Sequence, residues 1–233
     1  MMTTTQPELR MRLEIDPVRV LAVLPAMGKL MVGSSRLGAT HERIGVVEAV
    51  SAGDGLVMLG GAAHDCRVDT AHIARVIVDR SGRMGDKAFP RIDFHASEDT
   101  VLFSVVGFDG LEPFDAALAG FGAGIPVEPA AGPSPGGRGE VAANDPGAQP
   151  FEKALASGDE TVIGLRRPGF EQRWRGRVET VKPAMGFINV MRPDFHLHLK
   201  AGSVARWTPH GDELLAETGD GSPLGLFVST AGD

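Results

Sequence analysis

The sequence predicts an α+β protein built from two tandem copies of one mainly antiparallel module. Three observations carry that prediction: a gapless internal repeat, a Gly/Pro/Ala-rich stretch between its copies, and short alternating apolar segments separated by turn residues. The repeat emerges when GVVEAVSAGDG (45–55) is laid over GRVETVKPAMG (176–186). At an offset of 131, Gly33, Arg36, Gly38, Gly45, Val47, Glu48, Val50, Gly55, Ala74 and Arg75 fall on identical residues, ten identities over the 44 positions 33–76. Coincidence does not readily hold one register over that length, and a repeat dictates architecture before local structure does. Between the copies, FGAGIPVEPAAGPSPGGRGEVAANDPGAQ (121–149) has little to bury and reads as a linker. The division is a first repeat at 10–121, a linker at 122–148 and a second, shortened repeat at 149–233.

The elements follow in chain order. Asp16 caps a helix that Pro17 opens and that runs through Leu24, with Val18, Leu21 and Leu24 on one side. Strands are expected at 29–33, 42–50 and 55–60, and Asp69 is placed to cap a helix carrying Ile73, Val76 and Ile77. Residues 91–97 and 100–107 read as a hairpin across Glu98 and Asp99. A helix over 112–122 has Pro113 early and Gly122 at its end. The second copy opens with a helix at 149–158, followed by strands near 161–167, 171–181, 186–191, 195–199, 203–207, 212–217 and 224–229. Short turns between neighbouring strands favour antiparallel pairing, and such sheets are expected to pack face to face.

Composition narrows the function. A net charge of −7 argues against a nucleic-acid groove, whose affinity comes from Lys and Arg on phosphates. Cys66 is the single cysteine, so neither an internal disulfide nor a cysteine metal cluster is expected, and a buried structural thiol is the expected state. MMTTTQPELRMRLE lacks an apolar signal core and no run is long enough to cross a bilayer, which makes a cytoplasmic protein without membrane insertion the expectation. No nucleophile elbow or phosphate-binding loop is present, and no catalytic residue is assigned.

The histidines carry the remaining chemistry. In DFHLHLK (194–200), His196 and His198 alternate with Phe195, Leu197 and Leu199, so a strand places both imidazoles on one face. A zinc site needs a third protein ligand, and none stands at a recognisable spacing, so no metal site is assigned. A strand imidazole satisfied by a hydrogen bond is the competing reading. His41 and Glu42 are adjacent and so face opposite ways on a strand, while His64 and His95 show no constellation. In the repeat register His198 falls on Arg67.

GKLMVGSSRLGATHERIGVV (28–47), HDCRVDTAHI (64–73) and RWRGRVETVKPAMGFINVMRPDFHLHLK (173–200) occur in the order and duplicated layout of the bacterial haem-utilisation proteins of the HemS/HmuS type. The chain resembles that family over most of residues 10–229, with FINV…FHLHL and Asp65–Arg67 the best-matched pieces; residues 60–107 also resemble the one-repeat haem carriers of the ChuX/HutX type. The resemblance implies haem as cofactor, a binding and trafficking role rather than an enzymatic one, and a haem-importer or haem-acceptor protein as partner. It places the family's haem-side arginine at Arg67. The family's axial histidine lies between the repeats, yet residues 121–171 contain no histidine, so His72, His198 or His196 would have to supply the iron ligand. The alternatives are a degenerate member that takes another ligand or a protein partner, and a metal-dependent enzyme using the His-x-His strand.

Overall fold

The computed structural model describes residues 9–97, 100–128 and 139–230. Two large antiparallel sheets pack against each other. The ten-stranded sheet runs, edge to edge, through Ile125–Pro126, Arg10–Leu13, Arg75–Asp79, Arg91–His95, Val101–Gly107, Lys29–Arg36, Ala39–Val46, Phe195–Lys200, Phe187–Arg192 and Lys182–Ala184. The eight-stranded sheet runs through Arg206–His210, Glu213–Glu217, Pro223–Thr230, Glu160–Arg167, Phe170–Arg177, Asp65–Asp69, Leu56–Gly60 and Ala49–Gly53. The α+β class and the duplication expected from sequence are both present.

The repeat is visible at the level of backbone geometry. Adding 131 to Lys29–Arg36, Ala39–Val46 and Arg75–Asp79 gives Glu160–Arg167, Phe170–Arg177 and Arg206–His210, all strands with those bounds. Asp54 and Gly55 turn their hairpin with φ of 52° and 78°, and Met185 and Gly186 turn the equivalent one with 54° and 80°. Positive φ at both central residues is the I′ turn that matches strand twist.

Alternation in sequence does not reveal that the copies share their sheets. Three strands of the first copy (residues 49–69) complete the second copy's sheet, and their equivalents at 182–200 complete the first copy's sheet. The expected single strand at 42–50 is therefore two strands, Ala39–Val46 and Ala49–Gly53, in different sheets. The chain crosses between sheets at Val47 and, in the second copy, at Val178; both side chains are buried, one in each core. The most repetitive stretch of the sequence is this crossing.

Each core is nonetheless built mainly from one copy, with Phe170 of the second copy joining the first core and Ala39 of the first copy joining the second. Val20, Leu21 and Leu24 of the helix Pro17–Ala22 and its 3-10 extension Leu24–Met27 pack with Leu30, Val32, Phe94, Phe103, Val57, Leu59 and Cys66. Phe151 and Ala154 of the helix Gln149–Ser157 pack with Ile163, Leu165, Trp174, Phe195, Leu197 and Leu199. Full burial of side chains of this size contributes about 1.5–3 kcal/mol each. Cys66 is buried, and burial pushes its thiol pKa well up, as a structural thiol requires. The remaining helix is Leu111–Leu118 with a 3-10 turn at Ala119–Phe121.

Two details depart from the sequence reading. Asp69 caps only the 3-10 turn Thr70–His72, accepting from the Ala71 amide at 3.0 Å, and the expected helix is replaced by the strand Arg75–Asp79. The run Val76, Ile77, Val78 is β-branched and pairs on both sides, so sheet packing overrides the cap. The hairpin Arg91–His95 and Val101–Gly107 is present, while its expected turn residues Glu98 and Asp99 lie outside the described residues. Between the copies, Ile125–Pro126 adds an edge strand and Asp145 caps the turn Pro146–Ala148, whose Pro146 carbonyl accepts from Trp207 Nε1 at 3.0 Å. Among the described residues, no helix is long and apolar enough to cross a membrane.

The copies meet at a buried polar contact. His41 Nδ1 lies 3.0 Å from Gln172 Oε1, and His41 and Gln172 are the same position of the repeat. His41 Nε2 lies 3.0 Å from the Ile163 carbonyl, and Gln172 Nε2 donates to the Val32 carbonyl at 3.2 Å, so even the outer partners are equivalent. Burial pulls the His41 pKa down to about 4, against the two oxygens that favour the protonated ring. His41→Leu or Gln172→Leu alone leaves buried groups unpaired and lowers stability by about 1–3 kcal/mol, whereas the double variant loses less than the sum, measured by urea denaturation. Because the unfolded ring titrates near 6.5 and the folded ring near 4, the unfolded chain binds more protons between those values. This group's contribution is thus present above pH 6.5 and falls by up to about 3 kcal/mol as pH drops to 4. Denaturation series from pH 7 to 4 should show a steeper loss for the wild type than for His41→Leu.

Candidate functional site

The first candidate site lies where the copies join in the eight-stranded sheet. On Asp65–Asp69, Cys66 and Val68 point into the first core, which turns Asp65 and Arg67 outward. Arg67 pairs in register with Met58 on one side and Glu171 on the other. It borders a cavity of about 190 Å3 with Leu56, Asp69, Arg166, Arg167, Gly169, Phe170 and Glu171.

Glu171 does not neutralise Arg67, because it is already engaged. Its carboxylate accepts from Arg166 Nε at 2.7 Å and from Arg173 Nε at 2.8 Å, and Arg166 also forks onto Glu213 with two contacts of 3.2 Å. Burial alone would raise the Glu171 pKa, but the two guanidiniums hold it below the usual carboxylate range. Arg166 also lies 4.5 Å above the Phe227 ring, which fills the space that a side chain at Gly164 would need. Among the described residues, none forms an ion pair or side-chain hydrogen bond with Arg67.

His72 stands beside the same cavity. Its Nδ1 is 3.3 Å from Asp69 Oδ2, and a Cβ on Gly169 would sit 2.4 Å from the His72 Cβ. Asp69 and Gly169 both line the cavity. Asp69 is pinned by the capping bond from Ala71, which orients the imidazole in turn and leaves Nε2 free of that ion pair. A neighbouring cavity of about 390 Å3 shares Arg166 and Arg167 and adds Arg36, the repeat equivalent of Arg167, so four arginines border this region. Arg167 also ties the copies together through the Ser35, Val101 and Leu102 carbonyls at 3.0–3.3 Å.

His196 and His198 belong elsewhere. Phe195, Leu197 and Leu199 enter the second core, so the two imidazoles face out from the ten-stranded sheet. Residue His196 pairs in register with Glu42 and His198 with Thr40. Glu42 Oε2 lies 3.4 Å from His196 Nδ1 and 3.7 Å from His198 Nε2. Although burial opposes it, the two histidines hold the Glu42 pKa down at about 2. The structure thus separates the four residues singled out from sequence into an Arg67–His72 pair and a His196–His198 pair. Arg67 and His198 remain repeat equivalents, each on the junction strand of a different sheet. Of the other histidines, His41, His64 and His95 are buried, and burial lowers the pKa of each, while His210 is exposed at the end of the strand Arg206–His210.

Sequence reasoning did not find Glu42 as the partner of the histidines or the arginines bordering Arg67. Glu42 stands on another strand, brought in only by pairing between the copies. Arg36 and Arg167 carried a signal, since they are among the ten repeat identities.

No family model matches the sequence, and no curated protein matches it. Solved structures do match. ChuS, described as an E. coli heme oxygenase, aligns with a TM-score of 0.75 and 20% identity, covering 97% of this chain and 84% of that chain. PhuS, described as a heme-binding protein from Pseudomonas aeruginosa, aligns in its holo form with a TM-score of 0.75 and 16% identity, covering 96% of this chain and 82% of that chain. Apo-PhuS aligns equally well, at 18% identity. This chain therefore has the duplicated two-sheet fold of ChuS and PhuS along nearly its whole length.

Proposed function

We propose that this protein binds haem at the Arg67–His72 cavity and serves haem utilisation as a binding and trafficking protein. The observation that carries the reading is Arg67, an outward arginine without a partner among the described residues, in a chain that shares its fold end to end with a heme oxygenase and a heme-binding protein. The residues fit the ligand's chemistry. His72 has one ring nitrogen held by Asp69, the arrangement that fixes an imidazole for a metal on its other nitrogen. Leu56 offers apolar surface to a macrocycle, and the planar guanidinium of Arg67 suits carboxylates or an iron-bound oxygen. Arg36, Arg166 and Arg167 add the positive field that two propionates need. Haem, once bound, supplies the iron. The chain supplies a ligand, a charge match and a surface from which an importer or acceptor protein can exchange the cofactor.

A second reading is a degenerate member that holds a smaller anion or a protein partner on the same face. The cavity size favours it, because about 190 Å3 falls below the ~300–1,000 Å3 usual for drug-sized ligands. Hemin titration separates the two. Haem binding predicts a saturable Soret shift that loses roughly tenfold in affinity in Arg67→Ala, in line with ~1.4 kcal/mol for a charged hydrogen bond, and a changed Soret position in His72→Ala. A flat titration at micromolar hemin contradicts haem binding and leaves the smaller-anion reading.

A further inference from the structure

The face carrying His196 and His198 plays no part in the haem reading, and its geometry points to another ligand. We infer that Glu42, His196 and His198 form a binding site for a divalent transition-metal ion of the imidazole-preferring kind, such as zinc, with Asn189 as the residue that sets the site's tautomer.

Asn189 is fixed by its backbone partners. Its amide nitrogen faces the carbonyls of Lys182, Ala184 and Phe187 at 3.0, 3.4 and 3.0 Å, which fixes the direction of Oδ1. That oxygen lies 2.6 Å from His198 Nδ1. An amide oxygen only accepts, so His198 Nδ1 carries the proton and donates it. That leaves Nε2 as the ring nitrogen not held by Asn189, and it lies 3.7 Å from Glu42 Oε2. A carboxylate oxygen and a ring nitrogen at that separation are placed for one cation to bridge them.

The third donor completes the set. His196 Nδ1 stands 3.4 Å from the same Glu42 oxygen, and the three ligand atoms all lie within 4.8 Å of one another. A tetrahedral zinc with bonds of about 2.0–2.1 Å separates its ligand atoms by roughly 3.3–3.4 Å, close to the two measured separations. Two histidines and one carboxylate on a partly exposed face leave coordination positions for water or an outside ligand. The site is also held from behind. Glu42 packs over Gly33, where a Cβ would sit 3.2 Å from the Glu42 Cγ, and His198 is held by Asn189 as metal-bound histidines are held by their outer partners. The three ligands come from the first and second copies, so the site exists only because the copies share a sheet.

The test is zinc binding to the full chain by competition with a chromophoric chelator, with cobalt absorption as a second readout. One equivalent of zinc and a tetrahedral cobalt spectrum are expected. Asn189→Ala, which touches no ligand atom, should weaken zinc binding about 10–100-fold. Glu42→Gln and His198→Gln should abolish it, with folding checked by circular dichroism, while His210→Gln and Arg67→Ala should leave it unchanged. The inference is overturned if the wild type shows no saturable zinc uptake, or if Glu42→Gln binds zinc as tightly as the wild type.

Discussion

The contact between His41 and Gln172 is the point on which the two copies turn. Both residues occupy the same repeat position, they touch each other, and each reaches the equivalent carbonyl of the other copy, Ile163 for His41 and Val32 for Gln172. Such reciprocity is what a two-fold axis imposes on an interface. Here the axis runs between halves of one chain, and the contact on it is buried and polar. Unpaired, those groups would cost more than they contribute when paired. The pairing therefore specifies register at the junction, and the register determines which residues become neighbours across it.

Everything of chemical interest follows from that junction. A slip of one residue would turn every side chain of the junction strands to the other face. Held in place, the junction sets Arg67 beside Glu171 in one sheet and the equivalent pair, His198 beside Thr40, in the other, with His196 beside Glu42 two residues away. These are equivalent places that have diverged in chemistry. One became an arginine-rich cleft with a carboxylate-held imidazole at its edge. The other became a compact set of two imidazoles and a carboxylate. Duplication gave two outward junction strands, and substitution gave them different side chains.

Much of the fold was legible because alternation and repeat register are local signals. The strand faces of DFHLHLK, the inward Cys66 and the capping by Asp16 all follow from periods and offsets. The misread helix after Asp69 shows the limit of such signals, since the cap is real but the β-branched Val76–Val78 run is claimed by its neighbours in the sheet. Sheet sharing was not legible for a deeper reason. A repeat says which residues are equivalent, whereas pairing between copies joins positions over a hundred residues apart, and no local pattern encodes that. The same gap hid Glu42 from the histidine pair and Arg166 from Arg67. The histidines were recognisable as a set, but their third member lies across the junction.

The central claim concerns which junction strand receives haem. A crystal structure of the protein grown with hemin tests it most directly. The account predicts porphyrin density over the outward face of Asp65–Asp69, with iron at His72 Nε2 and a propionate or iron ligand within hydrogen-bond reach of Arg67. Hemin bound instead at His196 and His198, or absent from both faces under saturating conditions, would contradict it.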